Sequence, residues 1–131
     1  MQKFDHVILI IGKEPNNDPV KLRRMIAATS LSNGGTISLI ADENRMNRAD
    51  NFWIYLVNSG LFKIVNQVVF VRIFDPFSIR RAINAAINNS EGTVCLNYPH
   101  DMNDVMKMAT IKLQGVVVTR FNKDRSIEVI L

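Results

Sequence analysis

The chain has 131 residues, enough for one ordinary domain that buries roughly two-thirds of the surface its unfolded form exposes. Hydrophobic residues make up 47% and charged ones 21%, a globular composition that excludes a disordered tail. A net charge of +4 keeps polyanions among the conceivable partners, but the sixteen basic residues are scattered and never form a block, so they read as a solvated surface.

In chain order, the first element expected is a strand over DHVILIIG (5–12). Its apolar centre, Val7 to Ile11, is far shorter than the ~20 residues that span a bilayer, so membrane insertion is not expected. Asp5 and His6 precede that centre and a Lys-Glu-Pro-Asn stretch follows it, which does not fit a secretory leader. The segment IIGKEPNNDPVKL (10–22) has the outline of strand, phosphate loop and helix, but it holds only Gly12 and lacks the glycine cradle that would present Lys13 to a phosphate. Asp18-Pro19 reads as an N-cap followed by proline at the first helical position, which would answer the helix's free N–H groups with a fixed carboxylate. Leu22, Met25, Ile26 and Thr29 then recur at helical spacing, up to a glycine stop at SNGG (32–35).

TISLIA (36–41) reads as the second strand, with Asp42 and Glu43 behind it. Ala49, Trp53, Leu56, Val57 and Gly60 mark a second helix. QVVFVRIF (67–74) is the third strand, and Asp75-Pro76 repeats the capping device before a helix on Ile79, Ala82, Ile83, Ala86 and Ile87, which NNSEG (88–92) stops. TVCLNY (93–98) is the fourth strand. Met102, Val105, Met106, Ala109 and Leu113 form the core stripe of a fourth helix, capped by Asp101 and ended by Gly115, and VVVTRF (116–121) follows as the fifth strand. FNKDRS (121–126) reads as a turn into SIEVIL (126–131), a sixth strand running antiparallel at a sheet edge.

This alternation predicts a single α/β domain over 1–131. The expected architecture is a three-layer α/β/α sandwich with a Rossmann-like or flavodoxin-like five-stranded parallel sheet, plus an antiparallel sixth edge strand. Helices are expected to alternate between the two faces. One cysteine, Cys95, allows no internal disulfide, and a cytoplasmic, reducing setting is the simplest expectation.

In such a sheet, chemistry gathers at the carboxyl ends of the strands. The candidates there are Asp42, Glu43, Asp75, His100 and Asp101, which would suit a small-ligand or Mg²⁺-dependent enzyme. Helix caps and solvated acids account for them more simply, and no catalytic residue, cofactor or metal ligand is assigned. Cys95 lies mid-strand between Val94 and Leu96, as a buried thiol does, and His6 and His100 fall at opposite ends of the sheet.

Two surfaces depart from the plain expectation. Met108 and Ile111, in line with Asp104, make the fourth helix apolar on a second side, and Ile54 and Tyr55 do the same for the second. The segment Ile127–Leu131 is an apolar edge strand, and Ile127 and Val129 are its partner-binding candidates. Either a partner covers it or the chain belongs to something longer. The function expected first is therefore a non-catalytic protein-interaction or scaffold module that binds another protein or itself. The alternative is a nucleic-acid-binding domain that grips phosphates with Arg23, Arg24, Arg45, Arg48, Arg80 and Arg81.

Overall fold

The computed structural model describes residues 2–11, 29–43, 57, 58, 60, 63 and 65–131. Six strands form one sheet: β1 (Phe4–Ile11), β2 (Ser32–Asp42), β3 (Val65–Val71), β4 (Val94–Pro99), β5 (Val117–Phe121) and β6 (Ile127–Val129). Their order is β3-β2-β1-β4-β5-β6. The first five run parallel, and β6 pairs antiparallel with β5, so the sheet is mixed. The strand order reverses between β1 and β4, the two central strands. β1 carries FDHVILII, apolar on both sides, as a central parallel strand requires.

Alternate residues of the strands build two cores. Phe4, Val7, Leu9 and Ile11 join Leu31, Ile37, Leu39, Ala41 and Cys95 on one face. Ile8, Ile10, Ile40 and Leu96 face the other way, where α1 (Pro76–Asn88) covers them with Ile79, Ala82, Ile83 and Ala86. The same face receives α2 (Asn103–Ala109) through Met106 and Ala109, after a 3-10 turn at His100–Met102. α1 and α2 therefore share one side of the sheet, against the expected alternation. The strand order explains this, because a right-handed crossover from edge strand β3 to β4 and the next from β4 to β5 advance in the same direction.

Expected caps and stops meet different fates. Asp75 caps α1: its carboxylate accepts the Ser78 N–H at 2.7 Å, and Pro76 occupies the first turn. Asp101 does not cap α2, whose start carries no side-chain cap bond. SNGG is no helix stop, since Ser32–Gly35 belong to β2, where a Cβ on Gly35 would lie 1.9 Å from the Asp5 carbonyl oxygen. α1 ends at Asn89, while Gly92, at φ +79°, makes room for the Asp5 carboxylate. That carboxylate accepts from Asn33 at 2.6 Å and from the Thr93 N–H at 2.8 Å, tying the start of β1 to both neighbours. These bonds hold its pKa below the ordinary range. Val57, expected on an inner helical stripe, is 61% exposed. Gly12, Lys13, Asp18-Pro19, Leu22, Met25, Ile26, Ala49, Trp53, Leu56, Arg23, Arg24, Arg45, Arg48, Ile54 and Tyr55 lie outside the described residues.

His6 is buried between Thr36, 2.6 Å from Nδ1, and Ser38, 2.9 Å from Nε2. Both hydroxyls can donate or accept, so the neutral ring is satisfied in either tautomer. Burial depresses its pKa. The unfolded state therefore binds the proton more readily, and stability falls as pH drops below the ordinary histidine range near 6.5. Denaturant midpoints at pH 7.5 and 5.5 should show this loss in the wild type, and His6→Gln should flatten it.

Candidate docking site

α2 stops four residues before its apolar stripe does, for reasons set outside the helix. Thr110 turns its hydroxyl back onto the Met106 carbonyl at 2.6 Å, and its N–H bonds the same oxygen at 3.0 Å. Arg80, from α1, donates to the carbonyls of Ala109 and Ile111 and closes the exposed end. Lys112 then takes a left-handed conformation at φ 53°, and Leu113 N–H returns to Thr110 O at 3.1 Å. Because an L-residue is disfavoured there, Lys112→Gly should raise the unfolding free energy by about 0.5–1 kcal/mol in a denaturant titration. Arg80 is thus engaged within the fold, and Arg81 lies over the Phe77 ring at 5.9 Å.

The facing wall is β6. It returns from β5 through Asn122–Ser126, where Asn122 N–H bonds Ser126 O at 2.8 Å and the Asp124 carboxylate accepts the Ser126 N–H at 3.0 Å. Arg120 binds four elements together, donating to Asn103 at 2.9 Å, Asn122 at 2.8 Å and Glu128 at 3.0 Å, while Asn103 also accepts the Tyr98 hydroxyl at 2.9 Å. Beyond β6 the ladder is irregular. Ile130 and Leu131 both donate to the Val118 carbonyl, at 2.8 and 3.2 Å, and Val118 N–H returns to Leu131 O at 3.0 Å. Two residues opposite one is a β-bulge, which re-aims a side chain. Strict alternation would send Ile130 and Leu131 to opposite faces, yet both turn toward α2.

Between these walls lies a cavity of about 370 Å³, within the range of small ligand sites, lined by Tyr98, Lys107, Thr110, Ile111, Lys112, Ile130 and Leu131. Ile111 is 56% and Leu131 65% exposed, and Met108, one turn before Ile111, is 62% exposed. Burial pushes the Tyr98 phenol up, partly offset by the Arg120 guanidinium. Its lining is therefore mainly apolar, with two lysines at the rim. Comparison with family models, curated proteins and solved structures finds no match.

Of the sequence candidates, Ile111 lines the cavity, Met108 lies one turn before it, Val129 is exposed at the edge, and Ile127 is half-buried against the core. The sequence pattern does not mark Lys107, Lys112, Tyr98 or Thr110 as site residues. The lysines could have been found as cations bracketing the Met108–Ile111 line, but Tyr98 and Thr110 are ordinary core residues by pattern.

The carboxyl-edge acids do not assemble a site. Asp42 is buried at the end of β2, Glu43 pairs with Arg72 at 3.5 Å and Asp75 is a cap. Among the described residues no group of three His, Cys, Asp or Glu side chains is arranged to hold a metal. Cys95 is fully buried and 3.4 Å from the Thr119 hydroxyl, and burial raises its pKa to about 11, the opposite of an activated thiolate. A second opening, about 470 Å³, lies at the β3 edge near Ile73 and Arg81, but Arg72 beside it is occupied by Glu43. Among the described residues no helix is long and apolar enough to cross a membrane.

Proposed function

We propose that the chain is a non-catalytic interaction module that seats a segment of another protein between α2 and β6. The observation that carries this is the bulge. It brings Ile130 and Leu131 to the same side as Ile111, so that three exposed or half-exposed aliphatic side chains converge on one cavity beside an open strand edge. Solvated apolar residues of this kind are stabilised by being covered.

A second copy is the less favoured occupant, because antiparallel pairing of β6 with itself about its centre sets one Glu128 opposite the other. The nucleic-acid alternative draws no support from Arg80, whose guanidinium caps α2. The finer architecture we propose is a three-layer, Rossmann-like sandwich. It is supported by the order β3-β2-β1-β4-β5, which reverses between β1 and β4, and by burial of side chains on both faces of β1. A reducing, cytoplasmic setting is consistent with a lone buried thiol.

The test is selection of random short peptides displayed on phage against the immobilised chain. Binders should emerge that lose affinity for Ile111→Asp while its thermal midpoint stays within a few degrees of wild type. A library yielding no such binders contradicts the reading. Sedimentation of the wild type as a dimer that Ile111→Asp converts to monomer would reassign the site to self-association.

A further inference from the structure

We propose that the seated segment is an extended strand, added to the outer edge of β6, that places an apolar side chain in the cavity and a carboxylate against Lys107 and Lys112. This rests on the docking reading and names the partner's chemistry.

The backbone argument comes from the β5–β6 ladder. Asn122 and Ser126 bond across it at one end, Val118 and Ile130 at the other, and Arg120 pairs with Glu128 between them. Hydrogen-bonding pairs alternate along antiparallel strands, so Ile127 and Val129 aim their N–H and C=O groups away from β5. β6 ends the sheet, and no described strand takes those groups. An extended segment satisfies them by continuing the ladder, the commonest use of such an edge in recognition.

The side-chain argument comes from charge. Ion pairs among the described residues are Arg72–Glu43 and Arg120–Glu128, which leaves Lys107 and Lys112 with no acidic partner there. Both line the apolar cavity. Of the nearby acids, Glu128 is held by Arg120 at 3.0 Å, and Asp104, one turn before Lys107 on α2, forms no ion pair with it. A carboxylate is therefore favoured at the Lys107–Lys112 end, one or two residues from the side chain that fills the cavity. Lys112 takes its left-handed conformation at the turn that closes α2, which sets its cation at this rim.

The experiment uses the full chain and the phage-selected peptides. Aligned binders should share an aliphatic or aromatic residue with Asp or Glu one or two positions away. The double variant K107E/K112E should bind them about tenfold or more weakly at low salt, and replacing the peptide acid with lysine should restore its binding. Amide exchange at Ile127 and Val129 should slow on binding. Peptides that are lost with Ile111→Asp yet carry no acid, ignore K107E/K112E and leave both amides unprotected would overturn this inference and leave the docking reading standing. No peptide binding at all would remove both.

Discussion

Gly35→Ala is expected to lower the unfolding free energy by about 3 kcal/mol or more, a large fraction of the stability of an ordinary domain. A methyl group there would lie 1.9 Å from the Asp5 carbonyl oxygen and 2.9 Å from its carbon, and those are backbone atoms of the central strand. Neither can rotate aside. β1 would have to part from β2 at the point where their register already shifts, between Phe4 and His6. Gly92→Ala meets the Asp5 side chain at a positive φ, and is expected to cost less because a carboxylate can swing away. Equilibrium denaturation of both variants checks the ranking. Equal, sub-kilocalorie effects would mean that the strands are not in such close contact.

The second large effect is expected at Arg120. Its guanidinium donates to Asn103, Asn122 and Glu128, and so joins β5 to the first turn of α2, the β5–β6 turn and β6 itself. Arg120→Met keeps the length of the side chain but removes every donor, and should cost about 2–3 kcal/mol, as loss of several charge-assisted bonds does in a half-buried setting. The loss should be local before it is global. Amides of Ile130 and Leu131, which donate to the Val118 carbonyl, should exchange faster in this variant under native conditions, while those of β1 keep the protection set by global unfolding. Because β6 is one wall of the cavity, peptide binding should weaken together with that protection. Uniform acceleration across the sheet would show that Arg120 stabilises the domain as a whole and does not specifically hold β6.

The central strands were legible because each carries a short apolar run whose two faces are both buried, as in VILII and VCLN. The antiparallel sixth strand was legible from FNKDRS, too short to hold a crossover. Which face the helices cover was not legible, because it depends on strand order, and that is set by long-range pairing of β1 with both β2 and β4. The end of α2 was misjudged for a similar reason: the apolar stripe continues to Leu113, but Arg80, some thirty residues earlier, takes the carbonyls of Ala109 and Ile111. Asp101 fitted the local grammar of a cap and yet makes no cap bond, since the chain enters α2 through a 3-10 turn.

At the docking site, the sequence pattern located the apolar residues and not their convergence. Met108 and Ile111 are visible as a second stripe, and the apolar end strand is visible as such. The bulge that brings Ile130 and Leu131 beside Ile111 is a shift of one hydrogen bond at Val118, with no glycine or other residue signal to announce it. The cations at the rim depend on the same convergence.

The most direct measurement is a residue-by-residue map of backbone amide resonances as a selected peptide is titrated into the labelled chain. Docking between α2 and β6 predicts changes confined to Tyr98, Lys107–Lys112 and Ile127–Leu131, with slowed exchange at Ile127 and Val129. Changes that centre instead on Val69–Ile73 and Arg81 at the opposite edge, or that spread evenly through the sheet, would contradict it.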